Sequence, residues 1–160
     1  MLKKVSSTAR IHHGGKFAIV ASRYNAVYVN AMLEAARNEI QSAKSSVVVV
    51  RVPGAFEIPV VAASLARRSR NIDPKHHVDA VICLGVILRG ATTHAQHIGE
   101  AVTNALVQIQ VQHEIPVIHE VLLLENHQQA RQRCLDSNHN RGREAAQTAL
   151  AMARTMKHLR

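Results

Sequence analysis

Six consecutive residues, Arg89-Gly90-Ala91-Thr92-Thr93-His94, bring a guanidinium, a glycine, two hydroxyls and an imidazole together. They follow the apolar run Ala80–Val86 and open onto a segment with helical periodicity. A strand that turns through a glycine into a helix aims free backbone N–H groups, and the positive end of the helix dipole, at whatever occupies the turn. That arrangement suits an anion. A histidine beside it can take up and release protons near neutral pH. The expected chemistry is proton transfer on a phosphorylated or carboxylated small molecule.

Three other positions carry candidate chemistry, each with an ordinary alternative. Tyr24, in Ser22-Arg23-Tyr24-Asn25, reads either as a flat platform for a heteroaromatic ring or as a loop aromatic capping the core. Glu57 stands between Pro53 and Pro59; it can bind hydroxyls of a polyol, or simply complement a helix dipole. Arg133, with Arg141 and Gly142 farther on, can present guanidinium groups to an anion or be surface charge. His94 and His97 lie one helical turn apart, but His76, His77, His119 and His139 fall in other elements, so no metal site is expected.

These residues need a frame. Phe17–Ala21, Val47–Val52, Ala80–Val86 and Pro116–Leu124 read as strands. Val47–Val52 is almost pure valine, the pattern of a parallel strand covered on both faces. Between them, Val27–Ala43 places Val29, Leu33, Ala36 and Ile40 on one helical face, and Glu57–Arg70 carries Pro59 in its first turn. The helix after Gly90 carries Ile98, Val102, Leu106 and Ile109; Asn126–Cys134 and Arg141–Lys157 complete the set. Strands alternating with helices imply right-handed crossovers and a parallel sheet between helix layers. Ligands bind such sheets beyond the carboxyl ends of the strands, where Tyr24, Ala55–Glu57 and Leu88–His94 should converge.

Composition narrows the function classes. A chain of 160 residues makes one domain that buries roughly 70% of its unfolded surface. No window is apolar enough to span a membrane and no apolar signal region opens the chain, so a cytoplasmic protein is expected. Cys83 and Cys134 show no metal or redox spacing; Cys83 reads as a core residue and Cys134 as a free thiol. The net charge of +9 raises the question of nucleic acid. With two tyrosines, two phenylalanines and no tryptophan, none interleaved with the basic residues, a stacking platform is missing. Solvated basic faces with affinity for an anionic substrate are expected instead.

Together the segments resemble the lumazine synthase family. Ser22–Asn25 (SRYN), Val52–Pro59 (VPGAFEIP), Gly85–His94 (GVILRGATTH), Ile115–Ile118, Gln128–Arg133 and Asn140–Ala146 carry the likeness in the family's order, from about Phe17 to the end. The resemblance implies a flavodoxin-like three-layer α/β/α sandwich with a four-stranded parallel sheet over residues 16–160. Residues 1–15 are expected to form a flexible arm or an edge strand added to a neighbour. It implies homopentamers, in some members closed into sixty-subunit shells, with riboflavin synthase as a candidate partner, and a reaction needing neither metal nor organic cofactor. The two small-molecule substrates are an aminopyrimidine bearing a ribitylamino chain and 3,4-dihydroxy-2-butanone 4-phosphate; they condense to 6,7-dimethyl-8-ribityllumazine.

By position, the resemblance implies that Tyr24 stacks on the pyrimidine and that Ala55, Phe56 and Glu57 bind its ring and ribityl chain. Val86, Ile87 and Leu88 would line that pocket. Gly90, Ala91 and Thr92 would hold phosphate, His94 would transfer protons, and Arg133 would reach the phosphate of a neighbouring subunit. His119 stands where a neighbour's phenylalanine closes over the pyrimidine. It is one of several departures: Ala95, Gln96 and His97 replace aromatic, acid and aromatic; Glu120 replaces a small residue; Leu123 and Leu124 replace threonines; Gln132 replaces an acid; and Arg141 replaces a lysine. They motivate a second reading, an assembly-competent shell subunit with weakened catalysis. A third is a flavodoxin-like binder of a flavin or nucleotide.

Overall fold

The nine residues of β3 (Ala80–Leu88) are buried almost from end to end, because this strand lies inside the sheet with helices over both faces. The computed structural model describes residues 14–70 and 75–159; of the arm expected at 1–15, only Gly14 and Gly15 fall among them. The order along the chain is β1 (Lys16–Ser22), α1 (Ala26–Ser42), β2 (Ser46–Val52), a 3-10 turn (Ala55–Glu57), α2 (Ile58–Arg70) and β3. It continues through α3 (His94–His113), β4 (Val117–Leu124), α4 (His127–Cys134) and α5 (Arg141–Leu159). The four strands are parallel in the order β2-β1-β3-β4.

Alternation along β3 divides the core. Ile82, Leu84 and Val86 join Met32 and Ile40 of α1 and the alanines of α5 on one face. Val81, Cys83 and Ile87 join Ile58 and Ala62 of α2 and Val102, Leu106 and Ile109 of α3 on the other. The result is the expected three-layer sandwich. Burial pushes the Cys83 thiol far above its usual range. Gly142, at the start of α5, lets that helix lie directly against α1: a Cβ there would overlap the Met32 carbonyl.

Two expectations need correction. The valine-rich strand is not covered on both faces. β2 is an edge strand, its residues mostly half-buried and Val48 50% exposed. A continuous β-branched run cannot distinguish a central strand from an edge whose side chains are partly uncovered in a single chain. The second helix also starts later than Glu57, because Ala55–Glu57 forms a tighter 3-10 turn before α2.

Candidate active site

β3 and β4 outrun β1. The last residue of β1, Ser22, lies level with Gly85, three residues before β3 ends at Leu88, a step of about 10 Å at a strand's rise. The loop 23–25 climbs this step. Asn25 holds it there: its Nδ2 donates to the Val86 carbonyl at 2.7 Å, and its backbone is left-handed (φ 55°). Asparagine is among the few side chains that tolerate that conformation. Arg23 N–H donates to the Val52 carbonyl at 2.9 Å, and Tyr24 N–H to that of Pro53 at 3.2 Å.

The loop presents Tyr24 with 70% of its surface exposed. Its ring lies over Gly54, where a Cβ would come within 3.0 Å of Cδ2. The ring therefore does not cap the core. Phe56, 60% exposed, stands on the adjoining 3-10 turn. Glu57 Oε2 accepts the Gly54 N–H at 2.9 Å, the reciprocal half of a capping box, so the dipole-complementing reading of this carboxylate holds at least for one oxygen. Gly85 floors the step: a Cβ would meet Val121 Cγ1 at 3.1 Å and Ile58 Cδ1 at 3.3 Å. Beneath it, Ser22 Oγ is buried without a hydrogen-bond partner.

Gly90, Ala91, Thr92 and His94 are exposed in the turn that leads into α3. The N-cap residue of this helix, Thr93, makes no side-chain capping bond, and the first turn carries no acid. The positive end of the dipole is left uncompensated, as an anion site requires. Thr92 Oγ1 accepts the His94 N–H at 3.4 Å, a long bond, and His97 N–H reaches the Thr93 carbonyl at 3.2 Å. Arg89 faces elsewhere: its Nε pairs with Glu125 Oε1 at 3.0 Å, and its N–H bonds the Leu124 carbonyl at 2.8 Å. The buried Ala95 packs in the same core as Ala55 and Ile87, so its small side chain seats α3 against the 3-10 turn.

The four segments after the strands therefore share one edge, but not every expected residue joins them. Of the residues expected to line the pocket, Ile87 and Leu88 end the strand on the step. The Val86 side chain is 2% exposed in the core beneath α1 and α5, and its carbonyl is taken by Asn25, so its side chain does not line the site. His119 sits opposite Cys83, about 16 Å down β4 from Leu124. Its Nδ1 accepts the Val121 N–H at 3.3 Å, so Nε2 carries the hydrogen and donates to Thr103 Oγ1 at 2.8 Å; Thr103 in turn donates to the Gly99 carbonyl. Burial lowers the pKa of this ring, favouring its neutral form.

Arg133 lies in the last turn of α4, exposed and without hydrogen-bond or ion-pair partner among the described residues. α4 packs against α1, α5 and β4, and Arg133 is close enough to Glu120 of β4 to influence its ionisation. Arg141 is not available to an anion. Its Nε and Nη2 donate to Glu120 at 3.1 and 2.9 Å, and its Nη1 to Glu144 at 2.7 Å. Burial pushes the Glu120 carboxyl up to about 7, a rise opposed by Arg141 and Arg133. Burial likewise raises the Cys134 thiol to about 11.

Residues without an assigned role in the sequence reading support the site from below. Asn25, Gly54 and Gly85 all fall inside the motifs, and Asn25 in particular carried a readable signal, an asparagine just after a strand where the chain reverses. Among the described residues no three His, Cys, Asp or Glu side chains gather to hold a metal ion, and no helix is long and apolar enough to cross a membrane.

The 6,7-dimethyl-8-ribityllumazine synthase family model matches residues 14–157. The 6,7-dimethyl-8-ribityllumazine synthase of Stenotrophomonas maltophilia (strain R551-3) is 34% identical over 153 residues, covering 94% of both chains. That of Aquifex aeolicus (strain VF5) is 37% identical over 150 residues, covering 92% of this chain and 93% of the relative. The chain belongs to the 6,7-dimethyl-8-ribityllumazine synthase family.

Proposed function

We propose that this chain condenses 5-amino-6-(D-ribitylamino)uracil with 3,4-dihydroxy-2-butanone 4-phosphate to 6,7-dimethyl-8-ribityllumazine, releasing phosphate and water, as a cytoplasmic step of riboflavin biosynthesis. The observation that carries the reading is the pairing, on one sheet edge, of an exposed aromatic platform with an uncapped, acid-free helix start that bears a histidine. The platform suits a planar pyrimidine and the helix start suits a phosphate.

In this reading Tyr24 stacks on the pyrimidine, while Ala55, Phe56, Glu57, Ile87 and Leu88 surround its ring and ribityl chain. The N–H groups of Gly90, Ala91 and Thr92 hold the phosphate. The 5-amino nitrogen attacks the ketone carbon, and loss of water leaves an imine. Loss of the C3 proton then expels the C4 phosphate, and the enol so formed takes up a proton at C4 to become a methyl ketone; attack of the ribitylamino nitrogen on that new C3 carbonyl closes the ring with loss of water. His94, exposed beside the turn, relays protons to the departing oxygens and from carbon. Holding two substrates side by side supplies much of the acceleration.

Arg133 and His119 lie apart from this edge within one chain, which favours their serving a neighbouring subunit, Arg133 at its phosphate and His119 over its pyrimidine. Exposed Val60 on α2 and Val107 and Val111 on α3 offer apolar surface for a homopentamer, with a sixty-subunit shell as its larger form. Riboflavin synthase remains the partner expected from the family resemblance. The test is turnover: the purified protein, given both substrates, should form lumazine and phosphate together, and His94→Ala should slow both equally.

A further inference from the structure

Two arginines outside this reaction stand on the neighbouring ends of β1 and β2. Arg51, paired with Ala21 in the sheet, sends Nη2 to the Ser22 carbonyl at 2.9 Å and Nη1 to Asn30 Oδ1 of α1 at 2.7 Å. Arg23 follows Ser22 directly, and its N–H donates to the Val52 carbonyl at 2.9 Å. The two side chains thus leave adjacent strand ends. Arg51's partners are both neutral, whereas Arg70, Arg89 and Arg141 each pair with a glutamate. Among the described residues neither Arg23 nor Arg51 has a carboxylate partner, and Arg51 Nε is buried and unbonded. The positive charge of Arg23, added to burial, lowers the pKa of Arg51, so the pair is mutually repulsive as it stands. The neighbouring start of α1 adds to the imbalance, having no side-chain cap and no acid in its first turn.

We propose that Arg23 and the N–H groups of Arg51 not taken by Ser22 and Asn30 form a second oxyanion site, separate from the Gly90–Thr92 turn, that takes inorganic phosphate or a phosphate monoester. A tetrahedral dianion has oxygens enough to accept from both guanidinium groups at once and cancels both charges. The site lies on the α1 side of Tyr24, and nothing in the condensation calls for it.

The test is calorimetric titration of the intact protein with inorganic phosphate, ionic strength being held constant with chloride. The Arg133→Ala background removes the main cationic contact at the reaction's own phosphate turn. In that background one phosphate per chain should still bind, and adding Arg23→Gln or Arg51→Gln should weaken it at least tenfold. Arg23 makes no side-chain bond in the described structure, so Arg23→Gln keeps the test valid if Arg51→Gln fails to fold. Arg51→Lys, which retains charge without the fork, should bind more weakly than the parent and more tightly than Arg51→Gln. Unchanged phosphate binding in Arg23→Gln would overturn the site while leaving the proposed reaction untouched. Lumazine formation, measured alongside, should persist in Arg23→Gln; loss of turnover together with phosphate binding would make the two sites one and overturn their separateness.

Discussion

Replacing Tyr24 by alanine separates the platform from the core cap that the sequence alone left equally open. The ring is 70% exposed and lies over Gly54, so its removal should change folding stability by no more than about 0.5 kcal/mol. In a chain of this size that corresponds to about 2 °C in Tm. Binding should respond far more. A ring face of roughly 50 Å² covered by a heteroaromatic contributes about 1.2 kcal/mol at 25 cal/mol/Å². The stacking geometry adds about 1 kcal/mol. A loss near 2 kcal/mol is about thirtyfold in Kd. Steady-state kinetics with each substrate varied in turn, alongside thermal melting, reads both quantities. KM for the aminopyrimidine should rise about thirtyfold, while that for the phosphorylated ketone stays within twofold. A fall in Tm beyond about 5 °C with the pyrimidine KM unchanged would refute the platform.

Other perturbations follow from the same geometry. Arg133→Ala should raise KM for the phosphorylated ketone about tenfold or more through loss of a charge-assisted contact, with the pyrimidine KM little changed; equal effects on both substrates would remove its phosphate role. Gly142→Ala forces a methyl against the Met32 carbonyl and should cost about 3 kcal/mol or more, read as a fall in denaturation midpoint. Glu120, raised from its ordinary 4.5 to about 7, favours the folded state fully below pH 4.5 and loses that contribution as pH rises through 7. Its size is on the order of 3 kcal/mol, so Glu120→Gln should flatten the fall in stability between those pH values; an unchanged pH profile would contradict the assignment.

The fold was legible because it rests on periodicity. Apolar runs at 17–21 and 80–86 had to be buried strands, and the four-residue spacing from Ile98 to Leu106 had to be a helix face. The edge position of β2 was not legible, since partner order depends on crossovers that no local pattern encodes. The anion turn was readable as strand, glycine and helix start. That Arg89 would turn to Glu125, and Arg141 to Glu120 and Glu144, was not, because each choice depends on where a distant carboxylate lands after folding. Likewise the residues SRYN announced Tyr24, but the step that exposes it exists only because β3 runs three residues past β1. Local motifs named the chemical groups; long-range packing decided which of them remained free.

The central claim is that the exposed platform and the uncapped helix start with His94 form a lumazine-making site. It is tested most directly by mixing the purified protein with both substrates and following lumazine absorbance against the spontaneous reaction. Product should form well above that background, and kcat should fall about 10²-fold in His94→Ala with assembly unchanged. Product at no more than the spontaneous rate, from a folded and assembled protein, would contradict it and leave a shell subunit that has kept the fold without the catalysis.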